Sequence, residues 1–265
     1  YYAYGISSDI ISDITSVGQL RVASLSSVEE LQKEGLKNNE IAEKLSSRYI
    51  VSGSLWKIDS IFQLSIELFD TKEEMLLTSQ RWEMNWSDLS LVKGDLSKKI
   101  IEGLNIKIIN ELDNDNSIDP VAYELYLQGK HVFNNRETTR DNEIAREFFI
   151  KAIKLDSNFT DARYSLGYTF HSSDRQKAID QYQVALDFAN KLDDKNAIMK
   201  IKRMMGDIYS DKFETDRALS FLRDAYKLSK EIGNKSGIVN ALSGLGGFFF
   251  ERRVGDSARY YYKNA

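Results

Sequence analysis

One residue pattern occurs twice near the C-terminal end of the chain at a fixed offset. Gly206, Tyr209, Ala218, Leu222 and Ala225 recur as Gly246, Phe249, Ala258, Tyr262 and Ala265, each 40 positions later. Self-similarity at such a period marks stacked supersecondary units rather than one ordinary globular core. Each copy reads as two amphipathic helices, with small residues where backbones must approach and aromatic residues filling the space between. A single pair of this kind cannot bury its apolar face alone, so neighbouring pairs stack. Two looser copies precede the regular ones. The first holds Gly129, Ala145, Phe149 and Ala152, with a turn lengthened around Asn134 to Thr139; the second holds Gly167, Phe170, Ala178, Tyr182 and Ala185. Because repeat arrays end in a polar capping helix and the last copy stops at Ala265, the expectation is a piece of a longer polypeptide.

A length of 265 residues exceeds the usual domain size of roughly 100 to 200 residues, which predicts two structural units. The net charge of −4 supplies no general pull towards nucleic acid or anionic membrane, and no nucleic-acid partner is expected. Cysteine is absent, which excludes disulfides, thiolate metal sites and cysteine nucleophiles. No apolar run approaches the roughly 18 residues that span a bilayer. The expected location is periplasmic if a membrane segment precedes the chain, and cytoplasmic otherwise.

Residues 1–112 read as an α+β unit. Ser7 or Ser8 caps a helix carrying Ile10, Ile11 and Ile14, and Leu20 to Ser24 reads as a short strand. Ser27 with Glu30 has the spacing of a capping box, and Asn38 or Asn39 starts a further helix. From Tyr49 the period becomes alternating: a strand over 49–56, a turn at Asp59 and Ser60, and a strand with Phe62, Leu64, Ile66 and Leu68 on one face. A third strand carries Leu76, Thr78, Gln80, Trp82 and Met84 on one face. Ser87 or Asp88 then opens a helix with Leu89, Val92, Leu96, Ile100, Leu104 and Ile108 at three-to-four spacing. This order predicts helices packed on one face of a mixed sheet. Residues 113–118 read as a polar linker, and Asp119 with Pro120 as a helix start; residues 119–265 form the all-α part.

Several of these stretches resemble known families. Tyr2 to Ile11, Glu40 to Leu45, Arg48 to Leu55 and Leu64 to Thr71 resemble, in order, the opening and core of the TolB N-terminal-like (FlgO-like) αβ domain. Tyr4, Ser8 and Ser52 depart from its pattern, and its first strand has no counterpart here. The small, aromatic and alanine positions of the repeats resemble tetratricopeptide (TPR) repeats, whose helix pairs form a right-handed superhelix. This combination is similar to bacterial multidomain signalling proteins in which such a pair is joined to adenylate or guanylate cyclase, winged-helix or kinase domains.

The chain offers little chemistry of its own. His131 and His171 have no second ligand at metal spacing, so no metal is expected. Gly244, Gly246 and Gly247 lie within a repeat helix with no strand before them, which favours close packing over a phosphate loop. Glu67 and Asp70 share a strand end without a cleft, and Asp174, Arg175, Arg252 and Arg253 read as solvated turn charges. Nothing assembles a nucleophile with a base and an orienter. The reading is non-enzymatic, without a cofactor.

In a TPR array the first helix of each pair lines the concave face. The positions predicted to point into it are Tyr126 and Lys130, then Tyr164, Tyr168 and His171, then Arg203 and Asp207, and finally Asn240, Ser243 and Phe250. Aromatic rings, a guanidinium and amides together suit a peptide or a partner helix. The function expected is therefore a protein- or peptide-binding scaffold or sensory module. The alternatives are a sensor with a small ligand held between the two units, which an inter-unit cavity with converging polar groups would favour, and a purely structural component; the oligomeric state is left open.

Overall fold

The computed structural model describes residues 2–17, 20–106 and 118–265. It runs α1 (Tyr2–Ser16), α2 (Leu25–Lys33), α3 (Asn38–Lys44), β1 (Tyr49–Ile58), β2 (Ile61–Asp70), β3 (Met75–Asn85) and α4 (Leu89–Gly103). Eight further helices follow: α5 (Pro120–Asn134), α6 (Thr139–Leu155), α7 (Thr160–Phe170), α8 (Arg175–Lys191), α9 (Lys195–Asp211), α10 (Thr215–Glu231), α11 (Lys235–Glu251) and α12 (Gly255–Lys263). The architecture is α+β followed by all-α. Among the described residues no helix is long and apolar enough to cross a membrane.

The sheet is antiparallel throughout, in the order β1-β2-β3, and not mixed. Leu20 to Ser24 is extended but pairs with no strand. Leu20 packs against the core while Arg21 and Val22 are exposed, and Ser24 serves as the N-cap of α2, accepting from the Ser27 N–H at 3.1 Å. The helix start expected at Ser27 therefore lies three residues earlier, with a single cap contact in place of a capping box. In α3 the reciprocal contact runs from the Lys37 N–H to the Glu40 carboxylate at 2.7 Å, which starts the helix at Asn38. Helix α1 begins at Tyr2, well before the serines expected to cap it.

Alternation in β2 places Phe62, Leu64, Ile66 and Leu68 on the covered face, each at most 5% exposed. Burying side chains of this size is worth about 1.5 to 3 kcal/mol apiece. Thr78, Gln80, Trp82 and Met84 of β3 stand opposite them. Leu76 does not: a bulge between Leu68 and Phe69 puts it opposite Phe69, on the other face, where it is half exposed. A one-residue irregularity flips the face of everything beyond it, and periodicity alone does not reveal it. Asp70 ends β2 fully buried, accepting from the Arg48 guanidinium at 2.8 Å and from the backbone N–H groups of Lys72 and Glu73. Arg48 and those N–H groups hold its carboxyl below the usual carboxylate range. This is a structural site for a turn, not an acid-base pair with Glu67.

Asp119 caps α5 with Pro120 in its first turn, as expected, accepting from the Ala122 N–H at 2.9 Å. From there the helices form consecutive hairpins. One contact recurs in all four: the small residue of the first helix abuts the large residue of the second. A Cβ at Gly129 would lie 2.7 Å from Phe149, at Gly167 2.8 Å from Tyr182, at Gly206 2.7 Å from Leu222 and at Gly246 2.9 Å from Tyr262. Helix ends repeat too. Asp193 and Gly233 take positive φ after α8 and α10, and Phe213 and Arg253 after α9 and α11. The following N–H groups of Asp194, Glu214, Asn234 and Val254 each reach back to Ala189, Tyr209, Ser229 and Phe249 at 2.9 Å. Such closures satisfy carbonyls that the helix end leaves open.

The α+β part and the first hairpins share one core. Ile6, Ile10 and Ile14 of α1, Phe62 and Leu64 of β2, Val92 and Leu96 of α4, and Tyr123, Leu127, Phe149 and Leu166 of the array belong to a single buried cluster. A second cluster joins α8 to α11. The linker 113–117 and Ile108 lie outside the described residues.

The repeated glycine contact yields a test. Gly206→Ala places a methyl group against Leu222, including its backbone nitrogen at 3.2 Å, and costs about 1 to 3 kcal/mol. Gly247→Ala meets only the Tyr262 hydroxyl at 3.6 Å and gains about 0.5 to 1 kcal/mol of helix stability. Urea unfolding of the two variants beside the parent should show opposite signs.

Candidate functional site

The first helices of the hairpins, α5, α7, α9 and α11, share a face, and α1 lies across it. Helix α1 packs on α5 and on α11, and its Ser12 hydroxyl accepts from the Lys200 ammonium of α9 at 3.0 Å. A helix of about 22 Å, at 1.5 Å per residue, thus reaches from the first hairpin to the last. It can do so because it has two faces. Ile6, Ile10 and Ile14 enter the core, while Gly5, Asp9 and Ser12 meet the array. A Cβ at Gly5 would fall 2.5 Å from Leu127, so glycine sets the close approach of α1 to α5.

Asp9 is the polar anchor of this contact. Its carboxylate is 5% exposed and pairs with the Lys130 ammonium at 2.7 Å, and it accepts from the Tyr123 hydroxyl at 2.7 Å. Burial, with the Asp9 charge second, drives the Tyr123 phenol pKa well above its ordinary value. Tyr123 therefore stays a protonated donor throughout the physiological range. At the end of α1, Tyr2 and Trp86 converge on the Glu124 carboxylate of α5, Trp86 by its indole N–H at 2.9 Å.

The residues expected on the open face divide into three groups. Tyr126 and Lys130 line a cavity beneath α1 rather than an open groove. Tyr126 is buried between Phe149 and Phe159, with ring centroids at 6.1 and 4.8 Å, and Lys130 is taken up by Asp9. Both were placed by helical position alone, which does not register that the same chain covers that stretch. Tyr164, Tyr168 and Arg203 border that same cavity, which has about 410 Å³ between α1 and the array, together with Ser8, Asp13 and Lys200. Tyr164 and Tyr168 stack in parallel at 6.3 Å and 4°, and burial raises the Tyr164 phenol to about 12. Arg203 pairs with Asp207 one turn on at 2.6 Å. Burial raises the Asp207 carboxyl pKa, with Arg203 pulling the other way.

The third group lies apart from that cavity. His171 follows α7 and is half buried, with its ring 6.0 Å from Tyr168. Burial lowers its pKa, which favours neutral imidazole at neutral pH. Among the described residues its Nδ1 has no hydrogen-bond partner. Asn240 and Phe250 are exposed on α11 and Ser243 is half buried there. Phe250 is 69% exposed.

Sequence reasoning missed Asp9, Ser12 and Lys200. The available signal was the second stripe of α1, in which glycine, serine and aspartate recur beside the isoleucines: a helix with an apolar face and a small-residue face has two partners to satisfy. It also misread Arg252, which is not a solvated turn charge. Arg252 lies over the Phe248 ring at 3.8 Å and donates to the Ser210 hydroxyl at 3.0 Å, tying α11 to α9. Arg175 likewise crosses to Asp211 at 2.9 Å. Among the described residues no cluster of three or more histidines or carboxylates could hold a metal ion.

Removing one member of the Asp9 and Lys130 pair strands the other charge. Lys130→Met should lower stability by about 3 to 5 kcal/mol, and Lys130→Met combined with Asp9→Asn should recover part of that loss. Urea unfolding of the two single variants and the double variant measures the coupling; additive losses would show that the pair does not join the helices.

No family model matches the chain. It is similar to "Putative adenylate cyclase 3" of Rhizobium meliloti (strain 1021), at 22% identity over 170 residues. That match takes in 63% of this chain and 29% of the relative, so the chain is matched to less than a third of that protein's length.

Proposed function

We propose that the chain is a non-catalytic binding module of a larger bacterial signalling protein, made of a TolB N-terminal-like αβ unit followed by TPR repeats. The glycine-to-large-residue contact found in each of four successive hairpins supports the TPR reading. The similarity to part of a protein named as an adenylate cyclase supports a place beside an output domain of that class.

The observation that carries the binding role is that the shared face of α5, α7, α9 and α11 already holds a helix. In α1 it accommodates an amphipathic segment through a close glycine approach, a buried ion pair and hydroxyl contacts. Helix-in-groove recognition uses those elements. Residues left open beyond α1, Asn240 and Phe250 with the exposed edge of Tyr168, are the surface on which a protein partner docks. A sensor of a small ligand is the second reading, favoured by the cavity between α1, α7 and α9 with its converging polar groups.

A photo-crosslinking amino acid at Asn240 or Phe250, with Lys154 on α6 as an exposed control, tests the first reading in lysate of the source organism. One discrete partner trapped from both α11 positions and absent from Lys154 is expected. Equal labelling from all three sites would remove the groove from consideration.

A further inference from the structure

The charged side chains that border the cavity are Asp9, Asp13, Asp161, Lys130, Lys200 and Arg203. Lys130 pairs with Asp9 at 2.7 Å and Arg203 with Asp207 at 2.6 Å, and elsewhere on α9 Lys195 pairs with Glu231 and Lys202 with Asp224. Lys200 lies between these, half buried on α9. Among the described residues its partner is a neutral hydroxyl, Ser12, and no carboxylate comes within ion-pair distance of it. Arg203 adds a second positive charge on the same face of α9 one turn later.

The other charged groups bordering the cavity do not answer it. Asp9 is held by Lys130 and Tyr123. Asp13 accepts from the Ser97 hydroxyl at 3.0 Å. Asp161 lies in the first turn of α7, where the helix N-terminus stabilises a carboxylate without a side-chain partner. What remains is an ammonium with spare donor capacity, the serine hydroxyls of α1, and a wall formed by the parallel rings of Tyr164 and Tyr168. Those donors match an acid group, and the stacked phenols match a flat body.

We infer that this cavity binds a small organic anion: a carboxylate or phosphate ester carrying a flat ring, with its acid group on Lys200 and Ser12 and its ring against Tyr164 and Tyr168. The inference names the ligand class for the small-ligand reading and rests on it. It shares only Tyr168 with the proposed partner surface, so its failure would leave the crosslinking outcome at Asn240 and Phe250 on α11 untouched.

Benzoate, phenyl phosphate and benzyl alcohol are suitable probes, titrated into the whole chain and followed by ligand-observed NMR. The anions should bind saturably near the millimolar range expected of fragments of this size. The preferred anion separates the carboxylate from the phosphate source. Lys200→Gln should weaken that anion about tenfold, as expected for loss of a charge-assisted contact, while exposed Lys154→Gln on α6 should leave it unchanged. Tyr168→Leu, which keeps bulk at a 43% exposed position, should weaken both anions. Benzyl alcohol binding as well as the anions, an unchanged affinity in Lys200→Gln, or no saturable binding by either anion would each overturn the assignment. Circular dichroism of each variant confirms that the fold is kept.

Discussion

The contact on which the rest of this structure depends is the burial of Asp9 against Lys130 and Tyr123. It fixes α1 between the α+β core and the array, beside the Trp86 to Glu124 contact and the apolar core the two parts share. On one side α1 gives Ile6, Ile10 and Ile14 to the core beneath β2 and α4; on the other, Gly5, Asp9 and Ser12 meet the first helices of the array. A buried carboxylate is tolerable only when its partners are in place, so the ion pair specifies where along α5 the helix must rest. Hydrophobic contacts alone would permit sliding, and the close approach at Gly5 restricts that further.

The proposed binding role draws on the same arrangement. Arrays of helical hairpins offer a curved face, and a chain that fills part of that face with its own helix has turned a general groove into a defined one. The filled part couples the α+β unit to the array. The part left beyond α1 is open on α11, and the part left beneath α1 is a cavity in which the Lys200 ammonium meets a hydroxyl rather than a carboxylate. The cavity borders α1, so on the proposed reading its occupancy would act on the element that holds the two units together.

Much of the fold was legible in the sequence. The 40-residue offset between Gly206 and Gly246 carried the hairpins, because a small residue against a large one leaves a fixed pair of letters in each copy. Alternation carried β2, where one face is fully buried. What escaped were features decided by tertiary context. The bulge at Leu68 and Phe69 reversed Leu76, and the apolar residues at 20–24 lacked a strand to pair with. The site was less legible than the fold. Tyr126 and Lys130 lie on α5 and Arg203 on α9, but side-chain spacing within a helix says nothing about which distant segment covers it. Lys130 lies 121 residues from Asp9, and only the small-residue stripe of α1 hinted at the pairing.

The central claim is that α1 makes the α+β part and the first hairpin one cooperative unit. Native-state hydrogen exchange in rising urea tests it most directly, following amides of Leu64 and Ile66 in β2, Ile10 and Ile14 in α1, and Leu127 and Phe133 in α5. The account predicts that all six merge into a single opening with one urea dependence. Exchange of the β2 and α1 amides through an opening that leaves Leu127 and Phe133 protected would contradict it.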